Sequence, residues 1–404
     1  MKILLIHNRY QQAGGEDAVF HNEGKLLAKN GHCVEELLFD NSVISSWKNF
    51  FIIGIQAIYN FTSARTIQQK ITNFGPHVIH VHNFTPIVSP SVFFIANRNK
   101  IPVVVTLHNY RLLCPSATLF YDKLIYEKSI HSLFPWDAVL KGVYRNSVMQ
   151  TAALAFVTAF HTIAGTWRNR VDQYITLTSF AKEKFVNSRL AISDEKLVVK
   201  PNFIEFKGNG LALREDYFLF VGRLTEEKGI RTLLDAASIE YFKLVIIGDG
   251  PLRSLVEDCA SIQPNITYVG PKKNDEVLTY LKACRALIFP SIWYEGFPVT
   301  ILEAFSTSTL VIASKLGGMA EIIQDQENGL LFEAGNPDKL VSTIIELSSN
   351  PERAAEIGEN GHTSYLERYT PQINYEQLTD VYYKVIARQQ NGSGKKMVKE
   401  LYNG

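Results

Sequence analysis

The chain has 404 residues, enough for two domains that each bury a core of their own, and its 46% hydrophobic and 20% charged residues exclude a disordered or membrane-spanning chain. The net charge of +1 hides an asymmetry. Residues 1–200 hold 21 Lys and Arg against 13 Asp and Glu, and the remainder 20 against 27, so a basic half suited to an anionic membrane surface or a phosphorylated substrate precedes an acidic one.

The N-terminus, M-K-I-L-L-I-H-N-R-Y, has one charge and four apolar residues before His7, which predicts a first strand rather than a signal peptide and a cytoplasmic protein. The four cysteines (Cys33, Cys114, Cys259 and Cys284) are scattered without a C-x-x-C, a pattern that favours buried thiols over disulfides or zinc. No dense Lys/Arg tract lies outside the tail, so nucleic acid is not an expected partner.

In the first half, short apolar runs alternate with helical stretches, the pattern of an open parallel sheet. The expected strands are Lys2 to His7, His32 to Leu38, Val78 to Val81, Val103 to Leu107, Gln173 to Leu177 and Leu197 to Val199. Ligands of such sheets bind at the C-terminal ends of the strands. After the first strand, Gly14-Gly15 precedes a helix expected to start at Glu16 or Asp17, whose amides suit a phosphate or an acceptor group. The spacing is not the G-x-G-x-x-G of a dinucleotide fingerprint, which argues against an NAD enzyme. At the end of the fourth strand, His108 in T-L-H-N-Y-R emerges where a hydroxyl or phosphate oxygen would lie. His77, His80 and His82 share a strand, but the spacing turns His77 away from the other two, so no metal site is expected.

Two stretches mix aromatics with cations as interfacial membrane segments do: Trp47, Lys48, Phe50 and Phe51 in one, Trp136, Lys141, Tyr144 and Arg145 in the other. The division expected is a first domain over 1–204, a linker over 205–215, a second sheet domain over 216–370, a helix over 371–390 and a loose tail over 391–404. Strands of the second domain are expected at Phe218 to Val221, Lys243 to Ile247, Asn265 to Val269, Ala286 to Phe289 and Leu310 to Ala313.

Four successive strand ends of this domain carry polar loops. V-G-R-L-T-E-E-K-G places Arg223 and Lys228 five apart, two cations suited to a diphosphate. I-I-G-D-G-P and T-Y-V-G-P-K-K leave the next two strands by glycine turns. The fourth, P-S-I-W-Y-E-G-F-P-V-T-I-L-E-A, holds Glu295 in a loop and Glu303, eight residues on, in the following helix. Four such loops on one edge of one sheet predict a ligand-binding edge.

V-G-R-L-x-x-E-K-G, I-x-G-D-G-P, P-S-x-x-x-E-G-F-P-x-x-x-L-E-A, G-G-x-x-E-I-I and N-G-L-L-F together resemble the retaining glycosyltransferases of the α/β GT-B fold, two Rossmann-like domains, often called family 4. The resemblance is strong over residues 216 to 345 and rests on pattern alone in the first half. It implies that Arg223 and Lys228 hold a donor diphosphate, that Glu303 binds the ribose hydroxyls, and that Glu295 touches sugar hydroxyls. The amides of Gly296, Phe297, Pro298 and Val299 would support sugar or phosphates, Pro298 contributing only its place in the loop. Gly248, Gly250, Pro251, Gly270 and Lys272 would line the nucleotide pocket, with Gly15 near the phosphates and His108 near the reacting carbon. The last helix would cross back to the first domain, and closure around the donor is expected.

The resemblance further implies a UDP-, GDP- or ADP-sugar donor and no metal, in keeping with the lack of a D-x-D motif. The basic, aromatic first half suggests a lipid-linked or other glycan acceptor at the inner membrane face, as in bacterial surface polysaccharide synthesis. A sugar-nucleotide epimerase and a non-catalytic nucleotide-sugar-binding protein stay open as rival readings. Two departures stand out. Where the family ends the Glu303 helix with Ala-x-Gly-x-Pro, this chain has Ser306-Thr307-Ser308-Thr309-Leu310, and the loop before Glu295 carries the bulky Trp293 and Tyr294.

Overall fold

A computed structural model describes residues 1–9, 15–40, 56–211 and 213–392. The chain forms two compact units: residues 1–117, 127–201 and 374 onward make the first, and 118–126 with 202–373 the second.

The first unit is built on a six-stranded, all-parallel sheet of β1 (Lys2–Arg9), β2 (Cys33–Asp40), β3 (Val78–Val81), β4 (Val103–Leu107), β7 (Gln173–Thr176) and β8 (Leu197–Val199), in the order β2-β1-β3-β4-β7-β8. A parallel sheet is covered on both faces, so its strands are apolar runs rather than alternations. Ile3, Leu4, Leu5 and Ile6 accordingly have no exposed surface. The chain enters at β1, sends β2 to one side and the other strands to the opposite side. The order therefore reverses between β1 and β3, and a crevice opens at such a reversal.

One face of this sheet is closed by the helix Gly15–Lys29 and by the helix Pro371–Gly392. The latter presents Leu378, Val381, Tyr382, Val385 and Ile386, a stripe of helical period, to Ile3, Leu5, Phe20 and Val78. The described part of the tail expected over 391–404 ends at Gly392, inside that helix.

The second unit repeats the plan with β9 (Phe218–Val221), β10 (Leu244–Ile247), β11 (Ile266–Gly270), β12 (Ala286–Phe289), β13 (Leu310–Ser314) and β14 (Leu330–Phe332), all parallel, in the order β11-β10-β9-β12-β13-β14. Here the reversal falls between β9 and β12. Of the expected strands, five have the predicted ends and the rest shift by one or two residues, as hydrogen-bonded ends commonly do.

Two elements go beyond the sequence reading. Strand β14 is only three residues long, and β5 (Phe120–Tyr121) with β6 (Leu124–Ile125) forms an antiparallel hairpin. Its turn residues Asp122 and Lys123 both have positive φ, the geometry of a primed turn without the Asn-Gly signal that betrays one. The stretch expected to link the domains is tied to the second unit: Gly210, Leu211 and Glu215 donate backbone hydrogen bonds to Thr307, Lys282 and Ala283. The cysteines are unpaired, but only Cys114 and Cys284 are buried and Cys33 is exposed, since its strand runs along the sheet's edge.

Candidate functional site

In the second unit the four loops at the C-terminal edge of the sheet are laced together by backbone hydrogen bonds. Gly222 donates to Ile247 (3.1 Å), Leu224 to Asp249 (2.9 Å), Leu252 to Leu224 (2.9 Å) and Gly248 to Gly270 (3.1 Å), joining the ends of β9, β10 and β11. Ile292 donates to Glu227 (2.9 Å), joining the loops after β9 and β12 across the reversal point. Glycine is required where these loops touch. A Cβ on Gly248 would lie 1.8 Å from the Gly222 carbonyl oxygen, and one on Gly229, at φ 72°, would lie 1.9 Å from that of Pro290.

Two of the expected ligands meet directly. Lys228 donates to Glu295 at 2.8 Å, and the Ser291 hydroxyl donates to the same carboxylate oxygen at 2.6 Å. The Lys228 ammonium also lies 5.4 Å from the Phe289 ring and 5.6 Å from the Trp293 ring, so aromatic faces complete its surroundings. Arg223 is exposed, with Glu227 3.6 Å away.

Glu303 lies on the helix Val299–Ser306, whose first turn has no side-chain cap. Its carboxylate makes no hydrogen bond or ion pair among the described residues, and burial raises its pKa above the ordinary carboxylate value although Lys207 opposes the shift. A largely desolvated carboxylate without a partner costs stability, and such groups concentrate where a ligand supplies the partner.

The other expected residues are less uniform. Gly296 is half-buried and Pro298 is buried, while the Phe297 ring packs into the apolar core at 6.0 Å from Tyr369. Val299 likewise leans on that core. Gly248 and Gly250 stand half-buried at the turn and Pro251 is exposed. Gly270, at φ 77°, has open space beside it, whereas Lys272 is exposed with Glu276 at 3.4 Å.

Gly15 and His108 belong to the first unit. Gly15 is exposed and opens the helix Gly15–Lys29, ahead of the start expected at Glu16 or Asp17, and its partner Gly14 lies outside the described residues. His108, at the end of β4, is 8% exposed and belongs to a buried polar cluster that sequence reasoning found only in part. Lys200 donates to Glu23 at 2.7 Å, both 1% exposed. His82 Nδ1 and His108 Nε2 are 3.0 Å apart. His80 is held at both ring nitrogens, by Tyr382 (2.7 Å) and Thr106 (2.8 Å). As expected, His77 is exposed while His80 and His82 are buried.

Burial drives the pKa values of His80 and His82 well below the ordinary value and that of His108 down to about 3. Burial pushes Glu23 up, but Lys200 together with His80 and His108 more than offsets it and holds the carboxylate below its usual range. Glu23 was legible in principle: it falls on the stripe Val19, Phe20, Glu23, Gly24 and Leu27, the apolar face of an otherwise ordinary helix.

Glu23, His80 and His82 are close enough to be considered as a metal site. The Lys200 ammonium already sits on Glu23, and both nitrogens of His80 are taken. The donor set suits an internal ion pair better than a cation.

Residues 202–364 match the family model described as glycosyl transferases group 1, and residues 13–207 match that of Glycosyltransferase Family 4. The chain is 38% identical to the uncharacterized glycosyltransferase MJ1178 of Methanocaldococcus jannaschii, over 89% of this chain and 92% of that protein. It is 30% identical to the O-antigen chain mannosyltransferase C of Escherichia coli over 42% of this chain and 46% of the other. Among solved structures, Anabaena HepE in complex with UDP-glucose superposes with a TM-score of 0.67 at 14% identity, over 94% of this chain and 98% of that one.

Proposed function

Since the chain belongs to the glycosyltransferases, on the GT-B fold of two parallel-sheet α/β domains, we propose that it moves a hexosyl group from a nucleoside-diphosphate sugar to a hydroxyl of a glycan acceptor with retention of configuration. The observation that carries the donor assignment is the laced edge of the second sheet, where Lys228, Arg223 and an unpartnered Glu303 flank one reversal point. The relatives agree with it: HepE holds UDP-glucose, and mannosyltransferase C is named for O-antigen chains.

In this reading the donor diphosphate takes over Lys228 from Glu295 and recruits Arg223, while Glu295, still held by Ser291, turns to sugar hydroxyls. Glu303 accepts hydrogen bonds from the ribose hydroxyls, which repays its desolvation. The bond from C1 to the diphosphate oxygen breaks as the acceptor oxygen bonds to C1 on the same face, and the leaving phosphate oxygen takes the acceptor's proton. Cations and amides aimed at the departing diphosphate stabilise the charge that develops there. Two cations at the diphosphate supply the countercharge that a metal would otherwise bring, so no metal is required.

We assign the acceptor to the lipid-linked class on the surface of the first unit. The helix Val148–Ile163 exposes Met149, Phe156, Phe160 and Ile163, and the short helix Trp136–Lys141 exposes Trp136 and Leu140. Arg111 and Arg145 stack on Tyr144 nearby, at 4.8 and 5.4 Å. An exposed apolar stripe with a cationic rim fits an anionic bilayer surface. No described helix is long and apolar enough to cross a membrane. The aromatic stretch at Trp47, Lys48, Phe50 and Phe51 lies outside the described residues.

Thermal shift against UDP-, GDP- and ADP-sugars tests the donor, because a ligand of the folded state raises its melting temperature. One nucleotide should stabilise the protein and Arg223→Ala should abolish most of that response; a full response from the variant overturns the diphosphate assignment. Flotation with phosphatidylglycerol vesicles at low salt tests the surface, and a protein that ignores them, with activity unchanged in Lys141→Ala, removes it.

A further inference from the structure

The buried cluster of the first unit is more than packing. It lies under the C-terminal strand ends of the first sheet, where such sheets take ligands: His82 follows β3, His108 follows β4 and Lys200 follows β8, with Glu23 on the helix packed against them. Its parts form a line: Lys200 Nζ to Glu23 Oε1 at 2.7 Å, Glu23 Oε2 to His82 Nε2 at 3.4 Å, and His82 Nδ1 to His108 Nε2 at 3.0 Å. Glu23 Oε2 and His82 Nε2 are both buried without another hydrogen-bond partner, and they face each other at 3.4 Å. The rings of His82 and His108 stack at 5.2 Å and 23°, which fixes their mutual orientation. The remaining nitrogen, His108 Nδ1, makes no hydrogen bond among the described residues, and His108 is the cluster's most exposed histidine.

Hydrogen-bond chemistry gives this line a direction. With Lys200 on its other oxygen Glu23 is a carboxylate, which can only accept. Its neighbour His82 Nε2 must then carry the proton. A neutral imidazole has one N–H, so His82 Nδ1 is an acceptor and His108 Nε2 must donate to it. His108 is thereby left with a bare Nδ1. His80 stands outside the line, since Tyr382 and Thr106 occupy both its nitrogens and its Nδ1 is 4.0 Å from Glu23.

We propose that Glu23 is a positioning residue that acts through His82 to lock His108 in the Nε2–H tautomer, so that His108 offers a hydroxyl-bearing ligand at the edge of the first sheet a hydrogen-bond acceptor. The lock itself needs only the residues of the first unit; its consequence for a sugar ligand rests on the glycosyltransferase reading above. A sugar with a hydroxyl at the position facing His108 is favoured over its deoxy analogue, because only a hydroxyl can donate to a bare ring nitrogen.

The test is a long-range ¹H–¹⁵N spectrum of the full-length protein labelled at its ten histidines, assigned by single substitutions. In the wild type, His82 and His108 should both show the Nε2–H pattern near neutral pH. Glu23→Gln combined with Lys200→Met removes both charges together, and His108 should then become a mixture of tautomers. His82→Phe leaves the ion pair in place and cuts the line, and it should release His108 in the same way. In both variants kcat/KM for the donor should fall about tenfold, with discrimination against the deoxy sugar reduced. A wild-type His108 protonated at Nδ1, or one that keeps its Nε2–H pattern in both folded variants, overturns the proposal. If the spectra behave as stated but donor leaves the His108 signals unmoved in the wild type, the lock stands and the assignment of His108 to the sugar fails.

Discussion

Each unit carries a lysine–glutamate pair with a buried glutamate beneath its ligand edge, and the two pairs are built for opposite ends. Lys200 and Glu23 touch at 2.7 Å with both side chains 1% exposed; Lys228 and Glu295 touch at 2.8 Å with Lys228 still 16% exposed among aromatic rings. The first pair has nowhere to go, since breaking it strands a charge in a dry interior. The second can trade partners when a diphosphate arrives. Burial therefore separates a charge pair that holds a site's shape from one that a ligand can open.

Removing one member should expose that difference most sharply. Glu23→Ala leaves the Lys200 ammonium unpaired, and the first unit should lose about 3–5 kcal/mol in urea unfolding, whereas the neutral double change Glu23→Gln/Lys200→Met should lose far less. A small loss in Glu23→Ala would mean that water reaches Lys200. Acid should act on the same cluster. His80, His82 and His108 all have pKa values depressed by burial, so the unfolded chain binds protons that the folded one refuses. Stability is complete above the unfolded value near 6.5 and falls as pH drops below it, by up to about 1.4 kcal/mol per pH unit for each histidine. A pH series of melting temperatures from 7.5 to 5 reads it.

The second pair should behave in reverse. Lys228→Met should cost only about 1–2 kcal/mol of stability but about 10²-fold in kcat/KM, because a cation aimed at the leaving diphosphate is lost. If instead the variant unfolds and the folded fraction keeps full activity, Lys228 is a structural partner of Glu295 like Lys200 of Glu23.

The two units also differ in how much of them the sequence discloses. Strands were readable in both, since buried parallel strands are apolar runs such as Ile3 to Ile6 and Ala286 to Phe289. The second unit's edge was readable too, because Arg223, Lys228 and Glu295 sit in loops and turns whose glycines mark where backbones touch, and Glu303 follows them on the next helix. The first unit hides its chemistry inside regular elements. Glu23 lies on a helix, Lys200 follows a three-residue strand and Tyr382 stands 302 residues from the His80 it bonds, so only the folded sheet brings them together. Charge on an apolar stripe was the one signal available, and it names Glu23 without naming its partners.

Glu303 extends the contrast to a carboxylate with no hydrogen bond or ion pair among the described residues. Its raised pKa means that the folded state resists ionising it, so it destabilises the protein increasingly as pH rises above the ordinary glutamate value. Glu303→Gln should therefore melt higher than the wild type near pH 8, by roughly 1 kcal/mol, and lose that advantage toward pH 4. The same change should weaken nucleotide binding by about tenfold, since a charged acceptor for the ribose hydroxyls becomes a neutral one. A variant that gains stability but binds nucleotide as before would remove Glu303 from the ribose.

The smallest expected effect lies at the end of that helix. Ser308 occupies the left-handed region, φ 52°, at the position where the resembling family has glycine, and its hydroxyl makes no hydrogen bond among the described residues. The conformation is imposed from outside: Arg214 grips the carbonyls of Thr307 and Ser308 at 2.9 Å each, and the backbone of Gly358 packs so close that a Cβ there would lie 2.6 Å from the Ser308 oxygen. The turn therefore keeps its shape with serine and carries the strain of a side chain at positive φ. Ser308→Gly should relieve that strain, partly offset by glycine's greater freedom in the unfolded chain, for a net gain of about 0.5–1 kcal/mol in urea unfolding. Nucleotide affinity should not move, because the Arg214 clamp holds the helix end in both proteins. A shift in affinity would mean that serine displaces the Glu303 helix, and the departure from the family pattern would then belong to donor selection rather than to stability.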